Sequence, residues 1–277
     1  MSRRLSFGGM MSVIRCYIPF AVTRIKSSMA YRLAFMARFL SNFFTVLITY
    51  YLWKAIFDSS PETVIGGFTF REMTGYVIVS FFTTAMISAV GIDSMAYSIQ
   101  DGSIAISLIR PVSFRGIHLA ESLGNLFVNA VINSMPFMVL FTLGGWLMAP
   151  EPIQLVAYGV SVLFSFLILF YFSFCFAMLA FYTTYFFGIN MAKEVIIKLC
   201  SGALIPLSFF PVGIGNFLRF LPFSSMNYTP VMIYLGKIKG VALVESLGLQ
   251  LFWVVFFLLF SCILWKKAIR RLTVLGG

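Results

Sequence analysis

The sequence predicts an all-α integral membrane protein with six transmembrane helices, an amphipathic interfacial helix before the first span and broken helices before the last. Composition is the first reason: of 277 residues, 60% are apolar and 10% are charged, and the mean hydropathy is +0.97. A soluble chain carries roughly 25% charged residues. The long apolar runs lack the alternation of a transmembrane barrel, so the predicted spans are helical.

The length of the apolar stretches gives the number of spans. A helix needs about 20 mostly apolar residues to cross a bilayer. By this rule the chain is a single membrane domain, residues 1–277, with predicted spans at 33–57, 73–95, 119–147, 153–181, 192–210 and 247–265.

The distribution of basic residues predicts the orientation. The formal charge is +11. Fifteen of the 20 Lys and Arg residues fall on one side of the predicted spans: Arg3, Arg4, Arg15, Arg24, Lys26, Arg32, Arg38, Arg110, Arg115, Lys193, Lys198, Lys266, Lys267, Arg270 and Arg271. Cytoplasmic loops carry this excess, so both termini are expected in the cytoplasm. The positive charge therefore indicates membrane orientation and contact with anionic lipids, and no nucleic-acid partner is expected.

Residues 10–28 are too polar to cross the bilayer, yet their polar positions recur at helical spacing. This pattern predicts an amphipathic helix that lies at the inner membrane surface. Pro19 is expected to bend or break it, because proline removes a backbone donor and clashes with the preceding turn. The alternative is a simple basic flank with no docking role.

The connection between spans two and three is the longest on the predicted cytoplasmic side. Gln100, Asp101 and Gly102 predict a helix break, and 103–109 a short helix with one apolar face. Arg110–Pro111 predicts its end, because a residue before proline is disfavoured in helical conformation. A short helix beneath the membrane can transmit force from a soluble partner, although such segments also serve as plain connectors.

The stretch 201–237 remains apolar but contains four prolines and several glycines. These residues exclude a continuous helix, and irregular backbone cannot face lipid because its amides would lack partners. We therefore expect an outer-leaflet re-entrant region at 208–236, with short helices near 215–220 and 231–236.

Catalytic and metal-binding patterns are absent from the sequence. The chain has one histidine and four separated cysteines, and it contains no HExxH, GxSxG or Gly-rich nucleotide loop. The sequence thus predicts no catalytic residues, no metal site and no enzyme activity of its own. Asn42, Asn129 and Asn133 are the more central polar residues, and they would either line a substrate path or hydrogen-bond neighbouring helices.

Three unusual motifs carry a resemblance to a known family. They are Gly102-Ser-Ile-Ala-Ile-Ser-Leu108-Ile-Arg110-Pro111, Pro206-Leu-Ser-Phe-Phe-Pro211, and Leu221-Pro222-Phe223 with Thr229-Pro230 and Tyr234-Leu-Gly236. In order and spacing the whole chain resembles the membrane permease subunits of bacterial type-2 ABC exporters.

The resemblance implies a multi-pass permease of the bacterial plasma (inner) membrane that drives efflux. It would dimerise with itself or a paralogue and dock an ATP-binding cassette ATPase dimer, which would bind ATP and magnesium; this chain would hold no cofactor. The segment 97–115 would couple the permease to the ATPase, through Gln100, Asp101, Gly102, Leu108, Arg110 and Pro111. Short outer loops favour a hydrophobic or amphiphilic substrate.

Two alternatives belong to other classes. A membrane-embedded lipid-modifying enzyme would have to use Asp101, His118 and Glu121, which lack a known catalytic spacing. A passive channel or accessory scaffold would need no ATPase. Dependence of a partner's ATP hydrolysis on this chain separates the transporter from both.

Overall fold

Helices account for most of the backbone. The computed structural model describes residues 17–23, 25–26, 32–88, 92–109, 112–183 and 185–271. We number the helices in chain order: α1 (residues 17–23 and 25–26), α2 (Arg32–Ser59), α3 (Phe70–Ile87), α4 (Ile92–Gln100), α5 (Ile104–Ile109), α6 (Phe114–Val128), α7 (Met135–Leu143), α8 (Pro152–Ala177), α9 (Phe186–Cys200), α10 (Val212–Phe220), α11 (Pro222–Met226), α12 (Tyr228–Tyr234) and α13 (Val241–Ala268).

Helix α8 forms the centre of the bundle. It packs against α3, α11, α12 and α13, and its Phe166, Phe170 and Phe174 are fully buried. Within the described residues, three helical stretches are long and apolar enough to cross a membrane: Phe114–Leu143, Pro152–Phe181 and Val241–Ala268. The first includes a π-helix at Asn129–Ser134, and the second ends in a 3₁₀ turn at Met178–Phe181. The apolar, all-helical architecture is that of a multi-pass membrane protein.

A short hairpin stands at one end of the bundle, where the sequence predicted no strand. Strands β1 (Val64–Ile65) and β2 (Phe68–Thr69) are antiparallel, and Gly66 and Gly67 adopt the positive φ that their tight turn requires. The Lys237 ammonium bonds to the Gly67 carbonyl oxygen and the Glu72 carboxylate, each at 2.9 Å. We call the end of the bundle that carries β1 and β2 the hairpin end.

The helix at the fifth predicted span has different bounds from that span. Helix α9 begins at Phe186 and ends at Cys200, whereas the predicted span runs over 192–210. The helix stops because Gly202 has a φ of +79°, which a right-handed helix cannot contain. The buried Tyr76 hydroxyl donates to the Gly202 carbonyl at 2.6 Å and holds this turn in place.

Helix α9 contains two of the basic residues that the sequence assigned to the cytoplasmic side. Lys193 and Lys198 were counted between the fourth and fifth spans although they fall within the predicted bounds 192–210, and both are inside α9. At 1.5 Å per residue, α9 is about 22 Å long and falls short of the roughly 30 Å hydrocarbon thickness. Residues outside α9 must therefore contribute to any crossing.

The proline-rich stretch after α9 is broken into short helices, as predicted, but into three rather than two. A 3₁₀ turn at Leu207–Phe209 precedes α10, α11 and α12. Helix α12 packs into the bundle against α8 and α3. All seven residues of α12 are buried, so this part of the proline-rich stretch is enclosed by protein.

Candidate coupling surface and membrane cavity

The coupling segment, residues 97–115, lies at the end of the bundle opposite the hairpin. Helix α4 stops at Gln100, and Gly102 reverses the chain with a φ of +77°. The Asp101 carboxylate accepts the Ser103 backbone N–H at 2.9 Å. Hydrogen bonds from the Ser103 side chain and backbone hold the pKa of Asp101 below its usual value, so this exposed carboxylate is ionised at neutral pH.

Helix α5 presents one face to the bundle and one to solvent. Ile104 is fully buried, and Leu108, one turn later, packs against the core. Ile106 and Ile109 lie on the other side and are 63% and 85% exposed. Two exposed isoleucines on a six-residue helix form a small apolar surface. The predicted anchors Arg110 and Pro111 lie outside the described residues.

Gln100 links the coupling segment to the end of α8. Its amide Nε2 donates to the Thr183 carbonyl oxygen at 3.4 Å. Thr183 follows the 3₁₀ turn that ends α8. A displacement of the coupling segment would therefore act on the central helix of the bundle.

Helix α1 packs along α6 through two glycines. The Tyr17 hydroxyl accepts the Ser113 backbone N–H at 3.1 Å, and a Cβ added to Gly116 would lie 2.8 Å from the Tyr17 ring. A Cβ on Gly124 would lie 2.7 Å from the Ala21 carbonyl oxygen. The backbone contact at Gly124 leaves no space for a Cβ, so the described part of the amphipathic segment is docked on α6.

Pro19 does not break the described part of α1, where the sequence predicted a bend or a break. Residues 17–23 form one uninterrupted helical run that contains it. The Thr23 hydroxyl donates to the Pro19 carbonyl at 2.7 Å. Proline removes only its own donor, and its carbonyl still takes part in the helix.

The start of α6 is also joined to the end of α13. Arg115 Nη1 donates to Ser261 Oγ at 3.3 Å and lies 2.8 Å from Cys262 Sγ. The rings of Phe114 and Trp265 are stacked with centroids 5.3 Å apart. Helices α1, α6 and α13 thus meet at the end of the bundle that carries the coupling segment.

Asn129 and Asn133 both lie in the π-helix. Asn129 Nδ2 donates to the Ala85 carbonyl on α3 at 3.1 Å, and Asn133 Nδ2 donates to Asn129 Oδ1 at 2.8 Å. The Asn129 bond joins the π-helix to α3, whereas the Asn133 bond stays within the π-helix. Asn42 lies in α2, and its side chain is outside the described part of the structure.

A polar cavity lies where α9 ends, and we call it the α9 cavity. Its volume is ≈ 300 Å³. Its polar lining comes from α3, α8, α9 and the α11–α12 junction: Thr84, Ser173, Lys193, Glu194, Lys198 and Asn227. A second cavity of ≈ 360 Å³ lies between α2, α3 and α7 and is almost wholly apolar, with Val46, Phe137 and Trp146 in its walls.

Sequence reasoning missed the charged residues of the α9 cavity and the buried Gln250. Lys193 and Glu194 interrupt an apolar stretch, and charges in such a stretch mark candidate functional sites where the stretch lies in a membrane. That signal was present, but Lys193 was counted only among the basic residues that set the orientation. Gln250 had no local signal, since its partners come from two distant helices.

The residues of the enzyme alternative are only partly brought together. His118 Nδ1 lies 3.3 Å from Glu121 Oε2 within α6, whereas Asp101 bonds to Ser103. Within the described part of the chain, no three His, Cys, Asp or Glu residues are grouped to hold a metal ion.

Most of the chain matches a known protein family. The model of the ABC-2 family transporter proteins matches residues 43–276, from the middle of α2 to nearly the last residue. The chain belongs to the ABC-2 transporter family. No curated protein and no solved structure matched it.

Membership confirms the resemblance carried by the three motifs. The ABC-2 protein is a membrane permease of the ABC type, and such permeases work with an ATPase partner and are in general not enzymes themselves. The matched region includes α3–α13, and therefore the coupling segment and the α9 cavity.

Proposed function

We propose that this ABC-2 protein is the permease subunit of an ATP-driven exporter of hydrophobic or amphiphilic molecules. It would pair with a second copy or a paralogue and dock an ATP-binding cassette ATPase dimer, which binds ATP and magnesium. Six spans would start from α2, α3, α6, α8, α9 and α13 in the bacterial inner membrane, with both termini in the cytoplasm.

One observation carries the proposal: α5 is anchored in the bundle by Ile104 while Ile106 and Ile109 are exposed beneath it. An apolar surface of this size fits a groove on a soluble partner. Burial of one isoleucine side chain stabilises an interface by about 1.5–3 kcal/mol. Such a contact can bias the permease only if it differs between the ATP-bound and ATP-free states.

The contacts around α5 suggest how such force would spread. The coupling segment bonds to Thr183 beyond α8 through Gln100, and it leads directly into α6. Helix α6 is packed by α1 and joined to α13 through Arg115. A push on α5 would therefore tilt these helices together, and the short helices α10–α12 at the other side would open the exit path.

The proposal is tested first by purification in mild detergent. The tagged full-length chain is extracted from its native membrane, its partners are identified, and ATPase activity is measured in lipid nanodiscs. Recovery of an ATP-binding cassette protein with two permease copies is the expected result. A chain that is recovered without a nucleotide-hydrolysing partner would favour the channel, scaffold or enzyme alternatives.

Ile106→Glu is expected to weaken ATPase recovery about tenfold or more. A charge on the exposed face of α5 opposes burial, and a loss of 1.4 kcal/mol changes an equilibrium tenfold. Val241→Glu is the matched control, because Val241 is an exposed valine at the start of α13, far from the coupling segment. Equal recovery of the ATPase by both variants would exclude α5 as the docking site.

A further inference from the structure

The α9 cavity combines buried charge with an apolar wall. Lys193 is only 5% exposed although it carries a side chain that is costly to bury. It lies on the inward face of α9, one turn from the buried Asn190. Ile87, Leu169 and Met226 form the apolar part of the lining.

The charges of the cavity favour an anion. Among the described lining residues, Lys193 and Lys198 contribute two positive charges and Glu194 one negative charge, which sum to +1. Charged residues inside membrane helices are rare, and they usually face ligand or ion pathways. In surroundings of low dielectric constant, a charge-assisted hydrogen bond from an ammonium group is stronger than in water.

Several of the remaining polar groups are held in place by hydrogen bonds. Asn227 Nδ2 donates to Thr84 Oγ1 at 2.6 Å and to Ser80 Oγ at 3.2 Å, which ties α3 to the start of α12. Ser201 Oγ accepts the Ala203 N–H at 3.3 Å and closes the turn after α9. The cavity wall is therefore pre-formed, which lowers the cost of ordering a ligand.

The volume of the cavity and the apolar surface on the same helix indicate the kind of anion. A volume of ≈ 300 Å³ accommodates a headgroup but not a whole lipid. Val195 and Leu199, on the outer face of the same helix, are exposed apolar residues that suit acyl chains. A molecule with an anionic head and an apolar tail would satisfy both surfaces.

We propose that the α9 cavity binds the phosphate or carboxylate headgroup of an anionic amphiphile, with Lys193 as the buried cation and Lys198 at the cavity edge. The inference deepens the proposed function, on which it rests for the role of this amphiphile as transported cargo. Binding itself requires no ATPase, so the two proposals can fail separately.

Native mass spectrometry of the full-length chain in detergent tests the site. The probes are phosphatidylglycerol and phosphatidylcholine with identical acyl chains, together with inorganic phosphate as a tail-free anion. The wild-type chain is expected to bind phosphatidylglycerol at least tenfold more tightly than phosphatidylcholine. Lys193→Met should reduce this preference to less than twofold, and Lys193→Arg should retain it.

Control variants separate the cavity from general attraction to anionic lipid. Lys267→Met removes an exposed charge at the end of α13 and should leave the preference unchanged. Lys198→Met, a milder change at the exposed edge, should lower it about threefold and serves if Lys193→Met does not fold. An unchanged preference in both cavity variants would overturn the proposal, as would inorganic phosphate binding as tightly as phosphatidylglycerol.

The role as cargo has a separate readout. In nanodiscs, phosphatidylglycerol should stimulate the partner's ATPase in the wild-type complex but not in Lys193→Met. Lys193-dependent binding without any ATPase partner would refute the exporter and retain the site. A functional exporter in which Lys193→Met leaves the lipid preference unchanged would support the exporter and refute the proposed site.

Discussion

Gln250→Leu is expected to destabilise the protein by about 2 kcal/mol, because Gln250 joins three helices from a fully buried position on α13. Its Oε1 accepts the Ser161 hydroxyl at 2.9 Å. Its Nε2 donates to Ser165 Oγ at 3.1 Å and to the Ser225 carbonyl at 2.8 Å. Interhelical hydrogen bonds in membranes average about 0.6 kcal/mol each, and three partners give the total.

The measurement is the free energy of unfolding in mixed micelles. Leucine keeps most of the side-chain volume, so the loss reports the polar contacts rather than an empty space. Leu251→Ala is the control, since the neighbouring Leu251 is exposed on the same helix and should change stability far less. Equal effects of the two substitutions would refute the bridging role of Gln250.

The Gln250 contacts also bear on the short helices. Ser225 lies in α11, which has only five residues and cannot be stable by itself. Gln250 and Ser165 both bond to its Ser225 carbonyl, so α8 and α13 hold α11 in place. We therefore expect Gln250→Leu to loosen α11 first.

The long helices could be predicted because their signal is local. A run of 20 apolar residues predicts a span wherever it packs, and α8 and α13 follow that rule. Gly102 could be predicted as a break for the same reason, since a glycine beside Gln100 and Asp101 favours a turn in any context.

The remaining features depend on contacts between distant residues. Apolar sequence continues past Cys200, so hydropathy could not locate the end of α9; the Gly202 turn is fixed by Tyr76, 126 residues earlier. The same applies to the α9 cavity, whose walls come from four parts of the chain. The role of Gly116 and Gly124 likewise depends on the packing of α1 against α6.

Gly124→Val is expected to displace α1 from α6 and raise amide hydrogen exchange in residues 17–26 at least tenfold. The added Cβ would lie 2.7 Å from the Ala21 carbonyl oxygen and 3.0 Å from its Cα. Backbone cannot rotate away from such a contact, and overpacking costs about 1–3 kcal/mol. Displacing a docked surface helix requires less free energy than displacing a core helix, so we expect the clash to be relieved by opening of α1.

The chain offers a matched control in Gly159→Val. Gly159 also lies inside a long helix, α8, but a Cβ there would meet nothing within 4 Å. Exchange in residues 17–26 should therefore remain as in the wild type. Faster exchange of α1 in both variants would show that the substitution acts through the bundle as a whole and not through the glycine contact.

Gly116→Ala gives an intermediate case that tests the physical cause. Its added Cβ would meet the Tyr17 ring at 2.8 Å and Ser113 Oγ at 2.7 Å, and both are side-chain atoms that can rotate. We expect exchange in α1 to rise less than in Gly124→Val. If α1 supports the coupling segment, ATP hydrolysis by the partner should decline in the same order, with Gly159→Val unaffected, Gly116→Ala slightly lower and Gly124→Val lowest.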